Sequence, residues 1–237
     1  MLSVEDVRPR LEANLAEVRR RTAEAAARSG RLPEAVTLIA VTKSVDARLT
    51  RILYELGVRD IGENRVQEAM AKAAQLPDCA VRWHMVGHLQ TNKARAAVRL
   101  FSLIHSLDSI HLAQVLEERA GQDAVTVPVL IEVNVSREAS KFGVSPDAAA
   151  ELVSAVGACA HLELRGLMAM APAVRRAEDA RPYFRRLREL RDQLNGSGGL
   201  SRPLPELSLG MTQDFDVAIE EGATMVRVGT ALFRGIV

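Results

Sequence analysis

Cysteine, aromatic side chains and net charge are all scarce in this sequence. The two cysteines, Cys79 and Cys159, are far apart and show no CxxC spacing, so we interpret them as reduced thiols of a cytoplasmic protein. Lysine and arginine together number 31 and aspartate and glutamate 30, which gives a net charge of +1. That balance provides no general attraction for nucleic acid or for an anionic membrane.

Long apolar runs are also missing. No stretch approaches the roughly 20 apolar residues that cross a bilayer. The N-terminal MLSVEDVRPRLEANLAEV carries acids early and lacks the apolar core of a signal peptide. The one loop-like break, NGSGGLSRPLP (195–205), is too short for a domain linker. We therefore expect a soluble, cytoplasmic, single-domain protein spanning residues 1–237.

What the sequence contains is an amphipathic helix pattern at 3–29, with Ser3 as its expected N-cap, followed by short apolar runs that alternate with helical patterns. The apolar runs are VTLIAV (36–41), VRDIG (58–62), RWHMVG (82–87), LIHS (103–106), PVLIEVNV (128–135), LELRGLM (162–168), ELSLG (206–210) and MVRVG (225–229). Eight strands alternating with helices predict an α/β fold, a parallel (β/α)8 barrel with an extra N-terminal helix. An open doubly wound sheet is the alternative, but no GxGxxG fingerprint follows the first run.

In such a barrel, functional residues lie at the carboxyl ends of the strands. The polar residues at those ends are Lys43, Asn64, His88, Gln90, Ser106, Asp108, Asn134, Ser208, Thr212, Arg227 and Thr230. Seven of the eight runs deliver such a group, and this convergence indicates that the rim binds a ligand.

The last two strand ends indicate which ligand. SLGMT (208–212) and RVGTALF (227–233) each combine glycine with a hydroxyl residue where a strand gives way to a helix. Glycine lets the backbone approach a ligand, and free amides at a helix start suit a phosphate dianion. Either loop alone is better explained as a tight turn. Together they favour a phosphate site, which these barrels commonly place after strands seven and eight.

Lys43 follows the first apolar run, in AVTKS, and would share the rim with that phosphate site. A lysine at a strand end is ordinarily a surface residue whose stem covers apolar neighbours. A desolvated lysine near other cations, however, loses its proton easily and attacks carbonyl groups. A phosphate site and a Schiff-base lysine in one pocket together suggest pyridoxal phosphate (PLP) as the cofactor.

Eight segments of the chain carry a family resemblance. They are AVTKS, GENRVQEA (62–69), WHMVGHLQTNK (83–93), HSLDS (105–109), EVNVSREASKFGV (132–144), GLMAM (166–170), SLGMTQDFDVAIEEGAT (208–224) and VRVGTALFRG (226–235). The chain resembles the pyridoxal phosphate homeostasis proteins, which are similar to the barrel domain of alanine racemase standing alone, PLP fold type III. The family commonly has methionine where Leu209 stands and serine where Thr212 stands.

The resemblance implies that Lys43 holds PLP as an internal aldimine, that Arg227 lies near the pyridine ring, and that loops seven and eight hold the phosphate. The cofactor-binding residues it implies are Lys43, Asn64, Ser208, Met211, Arg227, Gly229 and Thr230. It also implies intracellular PLP homeostasis without established catalysis, so no catalytic residue is expected.

The alternative function is a PLP-dependent amino-acid racemase or decarboxylase of low activity. A racemase needs a base on each face of its substrate, and in alanine racemase the second base is a tyrosine from another domain. Because the chain ends at Val237 after its eighth unit, we expect that domain to be absent. Tyr54 and Tyr183 both fall within helix patterns. An arginine beside the pyridine nitrogen would also weaken the electron sink.

Two weaker patterns favour structural explanations. His84 and His88 are four residues apart but lie on a strand and its exit without a third ligand, so no metal is expected. The stretch 175–192 holds seven arginines among acids, which is typical of a solvated helix face, and no aromatic platform for RNA accompanies it. The expected partners are PLP and PLP-dependent apoenzymes, without nucleic acid or membrane, and the expected state is a monomer.

Overall fold

Eight parallel strands close into a barrel in the computed structural model, which describes residues 4–138 and 141–237. The strands are β1 (Thr37–Val41), β2 (Asp60–Glu63), β3 (Arg82–Met85), β4 (Leu103–Leu107), β5 (Val127–Glu132), β6 (Leu162–Met168), β7 (Glu206–Ser208) and β8 (Met225–Val228). Each pairs with its neighbour in the chain, and β8 pairs with β1 to close the barrel. The predicted barrel is confirmed, and each predicted apolar run overlaps one of the eight strands.

Helices surround the barrel and one more precedes it. They are α1 (Val4–Arg28), α2 (Ala47–Glu55), α3 (Val66–Ala74), α4 (Ala94–Leu100), α5 (Ile110–Asp123), α6 (Ala149–Gly157), α7 (Arg181–Gly196) and α8 (Phe215–Glu220). The predicted N-terminal helix is confirmed, although its expected cap Ser3 lies outside the described residues, as do residues 139–140 of the fifth family segment. Leu11, Leu15 and Val18 form its buried stripe, which packs against α8.

The strands are buried on both faces, as the continuous apolar runs predict. One apolar cluster lies between strands and helices, while a smaller one, which includes Ile39, Leu130 and Met168, fills the barrel interior. Strand pairing places Glu132 beside Met168, and Met168 beside Ser208. Polar side chains therefore share the interior with this small apolar cluster, close to the carboxyl ends of the strands.

The arginine-rich stretch forms α7 and the turn before it, and its charges are balanced within the protein. Glu221, which is buried, accepts ion pairs from Arg181 at 3.1 Å, Arg185 at 3.1 Å and Arg188 at 3.0 Å. These contacts dock α7 onto the end of α8. Among the described residues, no helix has the length and apolar character to cross a membrane.

Candidate functional site

A cavity of about 620 Å³ opens at the carboxyl ends of the strands, within the size range of small-molecule sites. Six of the seven residues that we predicted to bind the cofactor line it: Lys43, Asn64, Met211, Arg227, Gly229 and Thr230. Ser208 does not line it and is fully buried below the cavity floor. The structure thus brings together side chains separated by up to 187 residues of sequence (43 to 230).

Lys43 is exposed at the wall of the cavity, so the desolvation that we expected for it is not present. Its backbone is nevertheless held firmly. Thr42 N donates to the Gly62 carbonyl at 3.0 Å, and the buried Lys72 donates to the Thr42 carbonyl at 2.5 Å. Lys72 also donates to Glu63 at 2.5 Å, so a buried ion pair between β2 and α3 fixes the point from which Lys43 leaves the barrel.

The loops after β7 and β8 leave backbone donors free beside the cavity. Among the described residues, the N–H groups of Gly229 and Thr230 make no hydrogen bond to another backbone group. The two loops are joined because Thr212 Oγ1 accepts from Ala231 N at 3.3 Å. This contact needs only the hydroxyl group that Thr212 shares with serine. The geometry is that of an anion cradle with unused amides.

Gly229 has a packing role that the sequence did not reveal. A Cβ atom at this position would lie 3.2 Å from the carbonyl oxygen of Val41, at the end of β1. A larger side chain would therefore press on the strand end that carries Lys43, as well as crowd the cavity it lines.

Arg227 reaches the cavity from inside the barrel. Its guanidinium donates through Nη1 to Ser208 Oγ at 2.6 Å and through Nη2 to the Ala169 carbonyl at 3.0 Å. Burial lowers the pKa of Arg227 to about 10, while Glu132 and Asp214 oppose that change. Ser208, which the family resemblance assigned to the phosphate, is placed by the structure beneath Arg227, where its oxygen accepts from the guanidinium.

Glu132, from the end of β5, is a buried carboxyl group that lines the same cavity. Burial raises its pKa to about 7; Arg227 opposes that change and Asp108 adds to it. Because its pKa is raised, the folded protein binds this proton more tightly than the unfolded chain does.

Glu132→Gln should therefore stabilise the cofactor-free protein at pH 8. Between an ordinary pKa of 4.5 and a folded pKa of about 7, the wild-type protein loses stability as the pH rises, since the charged form is penalised only when folded. At about 1.4 kcal/mol per pKa unit, the difference reaches about 3 kcal/mol above pH 7. Urea unfolding at pH 5 and pH 8 measures it. The exposed Glu151→Gln serves as control, and equal stability of wild type and Glu132→Gln at pH 8 would disprove the prediction.

At the mouth of the cavity, the rings of His88 and Phe142 stack with centroids 3.9 Å apart and planes 12° from parallel. His88 Nδ1 also lies 3.3 Å from an Asp108 carboxylate oxygen. His84 and His88 do not form a metal-binding pair, because His84 is buried in the barrel and hydrogen-bonds to His105 and Asp60. No group of three or more potential metal ligands occurs in the described part of the chain.

Sequence reasoning assigned no role at the cofactor site to several residues that lie at or below it. They are His84, His105, Glu132, Phe142 and Asp214. His84, His105 and Glu132 stand inside apolar strand runs, and a polar residue within such a run is the signal that could have found them. Phe142 gave no signal, since a single aromatic residue in a loop has no pattern.

Comparison with known proteins shows which family the chain is similar to. Residues 10–236 match the family described as alanine racemase, N-terminal domain. The pyridoxal phosphate homeostasis protein of Aquifex aeolicus is 43% identical over 219 residues, which cover 92% of this chain and 95% of the relative. PipY of Synechococcus elongatus, solved with PLP bound, is 36% identical with a TM-score of 0.82 and covers 94% of this chain and 99% of its own.

A more distant likeness concerns the fold alone. Alanine racemase of Clostridium difficile, solved with cycloserine, has a TM-score of 0.72 at 13% identity. The match covers 91% of this chain but 58% of the racemase. The shared part is the barrel.

Proposed function

The chain belongs to the pyridoxal phosphate homeostasis proteins, within the alanine racemase N-terminal domain family, and we propose that it binds PLP in the cavity described above and takes part in intracellular PLP homeostasis. The observation that carries the proposal is the convergence of Lys43, Arg227 and the free amides of Gly229 and Thr230 on one cavity. An amine, a buried guanidinium and an anion cradle in one cavity match the aldehyde, the pyridine nitrogen and the phosphate of this cofactor.

The residues of the cavity fit the parts of this cofactor. The unused amides of Gly229 and Thr230 suit its phosphate, whose charge they bind without a competing backbone acceptor. Lys43 suits its aldehyde, because an amine on a fixed strand end can reach a carbonyl held at the cavity wall. Arg227 suits its pyridine nitrogen, since a guanidinium held by Ser208 and Ala169 can only donate. Asn64 and Met211 line the space between these groups.

PLP supplies an aldehyde that forms covalent bonds with amines and a ring that accepts electrons. The chain's own groups favour holding it over using it. An arginine donor at the pyridine nitrogen limits protonation of that atom, which weakens the electron sink. Among the described residues no tyrosine lines the cavity, and Tyr54 instead lies under the guanidinium of Arg59 at 4.0 Å. We therefore propose a carrier or regulator of PLP rather than an enzyme.

The racemase-like alternative is favoured by one observation, the buried carboxyl group of Glu132 in the wall of the same cavity. A carboxyl group with a pKa of about 7 could exchange protons at neutral pH. Loss of one of two bases leaves proton exchange about 10²–10⁴-fold slower, so a single acid–base group supports at most slow turnover.

Transfer and proton exchange distinguish the two functions. Protein loaded with PLP is mixed with an apo-transaminase, and recovery of transaminase activity is followed. In parallel, the loaded protein alone is incubated with L- and D-alanine in deuterated water, and α-deuteration is followed by NMR. We expect transfer without appreciable deuteration. Rapid, stereospecific deuteration by the loaded protein would overturn the carrier proposal and favour the racemase-like alternative.

We also propose that the protein acts as a cytoplasmic monomer that meets PLP-dependent apoenzymes directly. Its two free thiols, Cys79 and Cys159, suit a reducing compartment. Sedimentation of the loaded protein alone tests whether it is a monomer. Sedimentation of its mixture with the apo-transaminase tests whether the two proteins bind each other. A stable dimer in the absence of a partner would contradict it.

A further inference from the structure

We propose that Asp60, His84, His105 and Ser208 form a hydrogen-bonded relay that crosses the barrel interior and positions Arg227 at the cavity. The inference rests on the proposed function only in assigning Arg227 to the cofactor. The relay itself is a property of the chain. None of its first three residues lines the cavity, so they act on it through Arg227 alone.

Four contacts link five side chains from five different strands. Asp60 Oδ1 lies 2.9 Å from His84 Nε2, and His84 Nδ1 lies 3.0 Å from His105 Nε2. His105 Nδ1 lies 2.9 Å from Ser208 Oγ, which accepts from Arg227 Nη1 at 2.6 Å. Every side chain in this line is buried, with exposed fractions between 0% and 8%.

With neutral histidines, the two ends of the line fix the direction of every hydrogen bond. A guanidinium can only donate and an ionised carboxylate can only accept. Arg227 therefore donates to Ser208, whose hydroxyl donates to His105 Nδ1. His105 Nε2–H then donates to His84 Nδ1, and His84 Nε2–H donates to Asp60. Both histidines are neutral and carry their proton on Nε2.

The surroundings of the line favour this state. Burial lowers the pKa of His105 well below its ordinary value, and the buried cation of Arg227 adds to that effect. Although burial opposes ionisation of Asp60, hydrogen bonds from His84 and Arg82 lower its pKa to about 2. Arg82 holds both carboxylate oxygens, at 2.7 Å and 2.5 Å, where the line reaches the amino-terminal mouth of the barrel.

The opposite direction leaves a hydroxyl proton without an acceptor. If His84 were an imidazolium, His105 would accept on Nε2 and donate from Nδ1 to Ser208. Ser208 Oγ would then receive two donors, and its own proton would find no third partner among the described residues. A buried donor without a partner costs about 1–3 kcal/mol.

The consequence of the relay is a fixed acceptor for Arg227. Because the Ser208 proton is committed to His105, the lone pairs of Ser208 Oγ face the guanidinium, and aligned hydrogen bonds strengthen one another. The carbonyl of Ala169, just after β6, accepts from the second nitrogen of Arg227. The rest of the guanidinium is available to a ligand in the cavity, because Arg227 lines that cavity.

The experiment measures the imidazole ¹⁵N signals of the full-length, cofactor-free protein, together with PLP affinity. The chain has five histidines, and the variants His84→Gln and His105→Gln assign the two relay signals. At neutral pH we expect a protonated Nε2 and an unprotonated Nδ1 at both residues. A protonated Nδ1 at His105, or an imidazolium at either residue, would overturn the relay whether or not PLP binds.

Matched variants of Asp60, at the end of the relay far from the cavity, test the effect of the relay on PLP binding. Asp60→Ala removes the acceptor of His84, so we expect the His105 tautomers to mix and PLP affinity to fall roughly tenfold. Asp60→Asn keeps an acceptor oxygen and should restore both readouts. Equal PLP affinity of Asp60→Ala and wild type would show that the relay does not position Arg227. If wild type itself bound no PLP, the proposed function would fail, and the ¹⁵N signals alone would decide the relay.

Discussion

Lys43→Ala should abolish covalent attachment of PLP to this protein while leaving the fold intact. Because Lys43 is exposed at the cavity wall, its truncation should change the free energy of unfolding by less than about 0.5 kcal/mol. The free amides of Gly229 and Thr230 remain, so the variant should still bind PLP weakly and reversibly. Intact-protein mass after borohydride reduction measures attachment, and equilibrium dialysis measures the residual affinity.

Lys93→Ala is the matched control, because Lys93 lies outside the cavity lining on the turn before α4. It should retain attachment at the wild-type level. Attachment that survived in Lys43→Ala at wild-type stoichiometry would show that another amine is the nucleophile. Loss of attachment accompanied by unfolding would contradict the surface position of Lys43.

Gly210→Ala should destabilise the protein strongly and release the cofactor. Gly210 has φ +81°, and a Cβ there would lie 2.6 Å from the Ala218 Cβ and 2.8 Å from the Phe215 Cα. The left-handed conformation costs about 1–2 kcal/mol for alanine, and overpacking adds about 1–3 kcal/mol, so we expect a loss of about 2–5 kcal/mol. The loop that carries Met211 should move away from α8, which lowers PLP affinity.

Gly222→Ala separates the backbone cost from the clash. Gly222 has φ +97°, but a Cβ there meets only the Arg188 Cδ at 3.4 Å, an ordinary contact. We expect it to lose about 1–2 kcal/mol and to keep its PLP affinity. Urea unfolding of both variants measures the difference. Equal destabilisation by the two substitutions would mean that the packing of Gly210 against α8 contributes nothing.

The barrel could be predicted from the sequence because its strands are buried on both faces. Continuous apolar runs such as VTLIAV and PVLIEVNV arise from that burial, and their number and spacing leave few architectures. Most of the candidate site followed from the same reasoning. Once the runs are strands, Lys43, Asn64, Arg227 and Gly229 must meet at the carboxyl ends.

Side-chain partners could not be predicted in the same way. The family resemblance implies that Ser208 holds the phosphate, but in the structure its position at the end of β7 turns the hydroxyl inward to Arg227. Likewise, His84 and His105 are 21 residues apart, and only the stagger of β3 and β4 brings their rings within hydrogen-bonding distance. Strand register decides such contacts, and hydrophobic patterns do not specify it.

The sequence also could not predict that Lys43 is exposed. Its chemistry at a strand end suggested a desolvated amine, whereas the buried lysine of this region is Lys72, which pairs with Glu63 on the outer side of the barrel. The sequence alone does not show which of the two lysines, Lys43 or Lys72, is buried. The position of Lys43 at the cavity, rather than its burial, is what supports its role.

Reduction of the PLP-loaded wild-type protein with borohydride, followed by peptide mapping, tests the central claim most directly. The chain has only four lysines, Lys43, Lys72, Lys93 and Lys141, and tryptic peptides separate them. We predict one pyridoxyl group per chain, on the peptide that contains Lys43. A pyridoxyl group found on Lys72, Lys93 or Lys141 in place of Lys43 would contradict the account.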